Sequence, residues 1–121
     1  MKYLLLIYHD ERTWNGLTEA ERQDIYLEYR QVIQKLQSNG QYLGGDELQA
    51  TTTASTVRVR DAKQLVTDGP FAETREQLGG FFMIEAKNQD EAQNIAAQIP
   101  SARMGSIEVR PVAASAEPAK A

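Results

Sequence analysis

The chain has 121 residues, a net charge of −4 from 13 Lys and Arg against 17 Asp and Glu, and no cysteine. This length fits one domain with one core. The scattered cations exclude an electrostatic nucleic-acid footprint, and the missing cysteine excludes disulfides, thiolate metal sites and thiol nucleophiles.

Residues 3–8 (Tyr-Leu-Leu-Leu-Ile-Tyr) read as a strand that is apolar on both faces, because neighbouring side chains point to opposite sides. The run is too short for a signal-peptide core or a membrane span and leads straight into charges. A cytoplasmic protein with no metal or cofactor is the expectation. His9-Asp10-Glu11-Arg12 marks the strand end, and Thr13-Trp14-Asn15-Gly16 reads as a loop. Thr18-Glu19-Ala20-Glu21 is a capping box, in which Thr18 accepts from the Glu21 backbone N–H and the Glu21 carboxylate reaches back. The helix that follows lines up Ile25, Tyr29, Val32, Ile33 and Leu36 on one stripe, and Ser38-Asn39-Gly40 ends it, with Gly40 suited to a left-handed position.

Residues 42–48 form a second strand in which the pair Gly44-Gly45 signals a bulge or a close backbone approach. Residues 56–60 (Thr-Val-Arg-Val-Arg) alternate, with the valines expected inward, and a turn at residues 61–63 returns the chain along 64–67 as a hairpin. Asp68-Gly69-Pro70-Phe71 then makes a rigid corner: Asp-Gly tolerates positive φ and Pro fixes the next φ near −65°. Residues 81–86 form another strand that is apolar on both faces. Asn88 and Glu91 cap a second helix with its stripe at Ala92, Ile95, Ala96 and Ile99, and Pro100 stops it. Residues 106–112 alternate as a last strand, with Pro111 at an edge or strand end.

The order β-α-β, hairpin, β-α-β predicts an α+β fold: a ferredoxin-like βαββαβ arrangement with an inserted β-hairpin. Both helices then cover one sheet face, and the other face, also apolar, calls for a partner. A two-fold homodimer packed sheet against sheet supplies one. The domain is expected to span residues 1–112, followed by a disordered C-terminal tail over 113–121, rich in Ala and holding Pro118.

The segment from Asp68 to Phe81 resembles the signature of the DGPF branch of the YCII-related proteins. Residues 2–8, 99–102 and 105–111 are similar to that branch as well. The resemblance implies a dimeric α/β barrel but no settled activity. It also brings in an association with extracytoplasmic-function sigma factors, beside which many members lie. Members of the shorter YCII branch resemble small lactone isomerases and carry a His–Asp pair, the His early in the first helix and the Asp just before the Pro that ends the second. Here residues 19–38 contain no His, and Ile99 precedes Pro100, so that activity does not carry over.

His9, the single histidine, stands at the end of a buried strand and is a candidate general base; the other reading is a strand-end residue sharing hydrogen bonds with Asp10. Asp68 is either a catalytic or ligand-binding carboxylate on a strained corner, or a turn former whose side chain caps its own backbone. Phe71, Glu73 and Glu76 are candidate ligand contacts beside it. Phe71 also reads as a core or interface anchor, and the glutamates as a solvated stretch paired with Arg75. Patterns for phosphate loops, dinucleotide folds and serine-hydrolase elbows are missing. Two functions follow. One is a small-molecule binder or isomerase-like acid/base enzyme with its cleft near Asp68 and His9. The other is a non-catalytic dimeric ligand sensor or partner protein, associated with a sigma factor.

Overall fold

The apolar run that opens the sequence becomes β1 (Lys2–His9), one of the two middle strands of a four-stranded antiparallel sheet. The structure, a computed structural model, describes residues 1–114. Chain order continues with α1 (Glu11–Asn15), α2 (Glu19–Ser38), β2 (Tyr42–Glu47), β3 (Ser55–Arg60), β4 (Lys63–Asp68), β5 (Gln77–Glu85), α3 (Gln89–Ala96) and β6 (Ser106–Pro111). The sheet order is β2-β5-β1-β6, and β3-β4 form a separate two-stranded hairpin. This is the α+β, ferredoxin-like order with the hairpin inserted between β2 and β5. The expected tail lies almost wholly outside the described residues.

Alternation in β1 and β5 decides where the core sits. Tyr3, Leu5 and Ile7, with Phe82 and Ile84, are buried on the helix side, where Leu36, Ala92, Ile95, Ala96 and Ile99 meet them. Their neighbours Leu4, Leu6, Phe81 and Met83 stand on the opposite face, only half-buried. Leu4 pairs with Met83 and Leu6 with Phe81, so this open face carries a continuous apolar strip. The helix ends follow the sequence signals. The Thr18–Glu21 capping box forms, with Glu21 N–H donating to Thr18 Oγ1 at 3.1 Å and Thr18 N–H to Glu21 Oε1 at 2.8 Å. Asn88 Oδ1 accepts from the Glu91 N–H at 2.9 Å, and Gly40 takes φ 72° past the end of α2.

Two local readings change. Residues 13–15 are not a loop: Asp10 accepts from the Arg12 N–H as an N-cap, and this nucleates the short helix α1. The hairpin valines do not point inward within the chain. No residue of β3 or β4 is buried, and Val57, Val59 and Val66 are 57%, 61% and 57% exposed. The hairpin turns over Asp61 and Ala62, both at positive φ (51° and 63°), with Arg60 paired to Lys63. That two-residue geometry suits Gly and penalises an L-residue with a β-carbon. Ala62→Gly is therefore expected to stabilise the hairpin by about 0.5–1 kcal/mol, seen as slower amide exchange in residues 55–68. Unchanged or faster exchange would contradict it.

Candidate functional site

His9 continues the parity of Tyr3, Leu5 and Ile7, so its side chain leaves the sheet on the helix side. The ladder between β1 and β5 slips at this point: Ile7 pairs with Gly80, Tyr8 with Leu78 and His9 with Gln77, leaving Gly79 as the bulged residue. The His9 ring packs directly on Gly79. A β-carbon there would lie 2.5 Å from the ring's Cε1 and 3.0 Å from Nδ1. Only glycine lets the imidazole lie where it does.

Above this bulge, between the sheet and α2, is a cavity of about 300 Å³. Five aromatic residues line it, Trp14, Tyr26, Tyr29, Tyr42 and Phe82, together with His9. The Trp14 ring lies 5.8 Å from His9 and 5.6 Å, edge-on, from Tyr26. Tyr29 and Tyr42 both meet Phe82 edge-on, at 6.1 Å and 5.4 Å. Such edge-to-face contacts fix the rings beyond what area burial alone does. Gly45 lines the wall because β2 crosses close to β5 there, the close approach its sequence suggested.

The polar groups of the cavity fall into two kinds. Some are already engaged. Tyr26 donates to the Glu47 carboxylate at 3.0 Å, and Tyr29 shares a 2.6 Å hydrogen bond with the buried Ser101. Burial first, and for Tyr26 also the Glu47 carboxylate, pushes the Tyr26 and Tyr29 phenols above the usual tyrosine range; burial does the same for Tyr42. All three remain protonated donors at neutral pH. The others are unspent. Among the described residues the His9 ring, the Arg30 guanidinium, the Tyr42 hydroxyl and the Asp46 carboxylate have neither a hydrogen bond nor an ion pair.

The segments beside His9 are tied together through Glu11. Its N–H donates to Gln77 Oε1 at 2.9 Å, while its carboxylate accepts from Thr51 N–H and Oγ1, both at 2.8 Å. These bonds hold α1, which carries Trp14, to the start of β5 and to the turn before β3. Asp10 does not share hydrogen bonds with His9 as one sequence reading had it. Its carboxylate is taken up by Arg12, whose hydrogen bonds hold it below the usual carboxylate range.

Of the candidate site residues His9, Asp68, Phe71, Glu73 and Glu76, only His9 lines the cavity. Asp68 ends β4 opposite Ser55, is exposed, and makes no side-chain hydrogen bond among the described residues; it neither caps its own backbone nor faces the cleft. The corner is pinned instead through Gly69 (φ 98°), whose N–H donates to Ala54 O at 2.8 Å and whose carbonyl accepts from Thr56 Oγ1 at 2.9 Å. Phe71 is 77% exposed, so it is no core anchor of this chain, and it carries the Arg58 guanidinium over its ring at 5.4 Å. Glu73 is exposed. Glu76 accepts from Ser106 Oγ at 2.8 Å. The stretch between Asp68 and Gln77 is not helical, so the two glutamates share no face, and Arg75 forms no ion pair among the described residues.

The aromatic and cationic wall went unread in the sequence, although one signal was there. Tyr26 and Arg30 join Tyr29 and Ile33 of the stripe already read at i, i+3, i+4, i+7 spacing along α2, which widens that stripe on one flank. No group of three or more His, Asp or Glu able to hold a metal ion occurs among the described residues, and no helix is long and apolar enough to cross a membrane.

Comparison with known proteins places these features in a family context. The family model for the YCII-related domain matches residues 1–115. An uncharacterized protein of Rhizobium meliloti (strain 1021) is 36% identical over 115 residues, which cover 93% of this chain and 93% of that protein.

Proposed function

The chain belongs to the YCII-related family, and we propose that it binds a small molecule in the aromatic cavity and exchanges a proton with it through His9. One observation carries this reading: the only imidazole of the chain lies on a glycine bulge in the lining of an aromatic cavity, with its ring nitrogens uncommitted among the described residues. An imidazole is the side chain best suited to take and return a proton near neutral pH. The three tyrosines are held protonated and offer no competing base, and of their hydroxyls only that of Tyr42 has no partner among the described residues. Asp68 has no part in this cavity, and the acid/base role rests on His9 alone.

The open sheet face supports a second element of the reading. Leu4, Leu6, Phe81 and Met83 form an apolar strip that no helix covers. We propose that a second copy covers it, giving a homodimer packed sheet to sheet as a dimeric α/β barrel, since a patch of this kind on a folded chain marks an interface. A sensor without chemistry would share both cavity and dimer, so the test must read the proton. Small molecules released from the purified protein are identified by mass spectrometry and returned to it in heavy water. Parent protein should exchange an acidic C–H of the bound molecule, and His9→Gln should slow that exchange by about 10²–10⁴-fold while still binding it. Exchange in the parent no faster than in free solution would leave only the sensor, equal exchange in the two proteins would remove His9 as the base, and a ligand found away from the cavity would remove the site itself.

A further inference from the structure

The ligand's chemical class can be read from the groups in the cavity that are already spent and those that are not. Two residues with carboxylates line the cavity, Asp46 and Glu47; Glu47 has its side chain on the helix side of β2, since Glu47 pairs with Gly80 and Gly45 with Phe82, whereas Asp46 pairs with Phe81 on the open face. The Tyr26 hydroxyl donates its one proton to the Glu47 carboxylate, lying 3.0 Å from one oxygen and 3.2 Å from the other. The cavity's one guanidinium, on Arg30, presents five N–H donors in a planar fork with no partner among the described residues. The imidazole of His9 is likewise unspent. The unspent groups on the helix side are therefore chiefly donors, on Arg30, His9 and the Tyr42 hydroxyl, and five aromatic rings line the walls.

We propose that the cavity takes a planar aromatic carboxylate of one or two rings. This rests on the reading of the cavity as a binding site. The ring lies among Trp14, Tyr26, Tyr29 and Phe82, where face and edge contacts favour an unsaturated plane over a puckered ring. The carboxylate takes the Arg30 fork, the geometry in which guanidinium and carboxylate pair through two parallel hydrogen bonds. The volume of about 300 Å³ stands at the small end of ligand pockets and limits the molecule to that size. An aromatic box lined by a free carboxylate would instead favour an organic cation; here Tyr26 donates into Glu47, Asp46 pairs with Phe81 on the open face, and the Arg30 guanidinium has no partner among the described residues.

Trp14 is the only tryptophan of the chain and lines the cavity, so its indole N–H gives one unambiguous NMR signal at the site. Benzoate, benzamide, cyclohexanecarboxylate and phenyltrimethylammonium are titrated against the full chain. Benzoate should shift the indole signal with an affinity at least about 10-fold above that of benzamide and of cyclohexanecarboxylate, and Arg30→Gln should bring benzoate down to the level of benzamide. Arg30 is exposed, and an unchanged circular dichroism spectrum confirms that the variant folds. Equal binding of benzoate and benzamide, benzoate binding that Arg30→Gln leaves intact, or preferred binding of phenyltrimethylammonium would overturn the carboxylate. Cyclohexanecarboxylate matching benzoate would overturn the aromatic ring. If none of the four moves the Trp14 signal, both this proposal and the binding site beneath it fail, whereas a neutral or cationic probe that does move it overturns the class and keeps the site.

Discussion

Gly45→Ala should destabilise the protein by about 2–3 kcal/mol, the upper part of the range for forcing an extra methyl into a packed place. A β-carbon at this position would run into the Phe81 backbone carbonyl of the neighbouring strand, and would lie 2.9 Å from the Tyr42 hydroxyl and 3.0 Å from Phe82 Cδ1. The two side chains can turn a little, but the carbonyl cannot, because it belongs to the β5 backbone beside β2. Relief comes only by moving β2 outward, which breaks ladder hydrogen bonds and opens the cavity wall. Gly40→Ala is the contrast. Gly40 has φ 72° but nothing within 4 Å of its added carbon, so its cost is conformational alone, about 1 kcal/mol. Urea denaturation of the two variants should separate steric from dihedral cost, and equal midpoints would contradict the packing argument.

Phe81→Asp addresses the proposed dimer. Phe81 is half-buried on the open face and pairs with Leu6, in line with Leu4 and Met83. In an isolated chain the substitution faces water, and its cost is the repulsion from Asp46 opposite, below about 1 kcal/mol. In a sheet-to-sheet dimer it places a carboxylate with no cation across from an apolar strip, and burying an unpaired charge costs several kcal/mol. The dissociation constant should rise by about 100-fold or more, so that sedimentation at micromolar concentration finds dimer for the parent and monomer for the variant, with far-ultraviolet circular dichroism unchanged. A parent that sediments as monomer throughout that range, or a variant that dimerises as well as the parent, would end the proposal.

The backbone plan was legible because its signals are local. Thr18 with Glu21, Asn88 with Glu91, Gly40 and Pro100 each act within four residues, and the two doubly apolar strands declared themselves by composition. The site was not legible for the opposite reason. His9 meets Gly79 only through pairing across 70 positions and a one-residue slip in the ladder, and neither residue announces the other. The short helix α1 was hidden because Asn15-Gly16 reads as a turn, although Asp10 was in place to start it. The Asp68 corner drew attention through the rarity of its residues. Its geometry turns out to depend on Gly69 and on backbone bonds to Ala54 and Thr56, and it ends an exposed hairpin instead of framing the cavity.

That hairpin has a colloidal consequence. With only two strands, β3 and β4 each leave a row of backbone donors and acceptors unpaired along an outer edge, beside exposed valines. Such an edge invites another extended chain to add on, and repeated addition gives fibres. Three cations, Arg58, Arg60 and Lys63, sit along the same short ribbon, and none has a salt-bridge partner among the described residues. Two such ribbons brought side by side would set like charge against like charge before their backbones could join. On a chain whose net charge is negative, these few positive residues guard an edge along which it could polymerise.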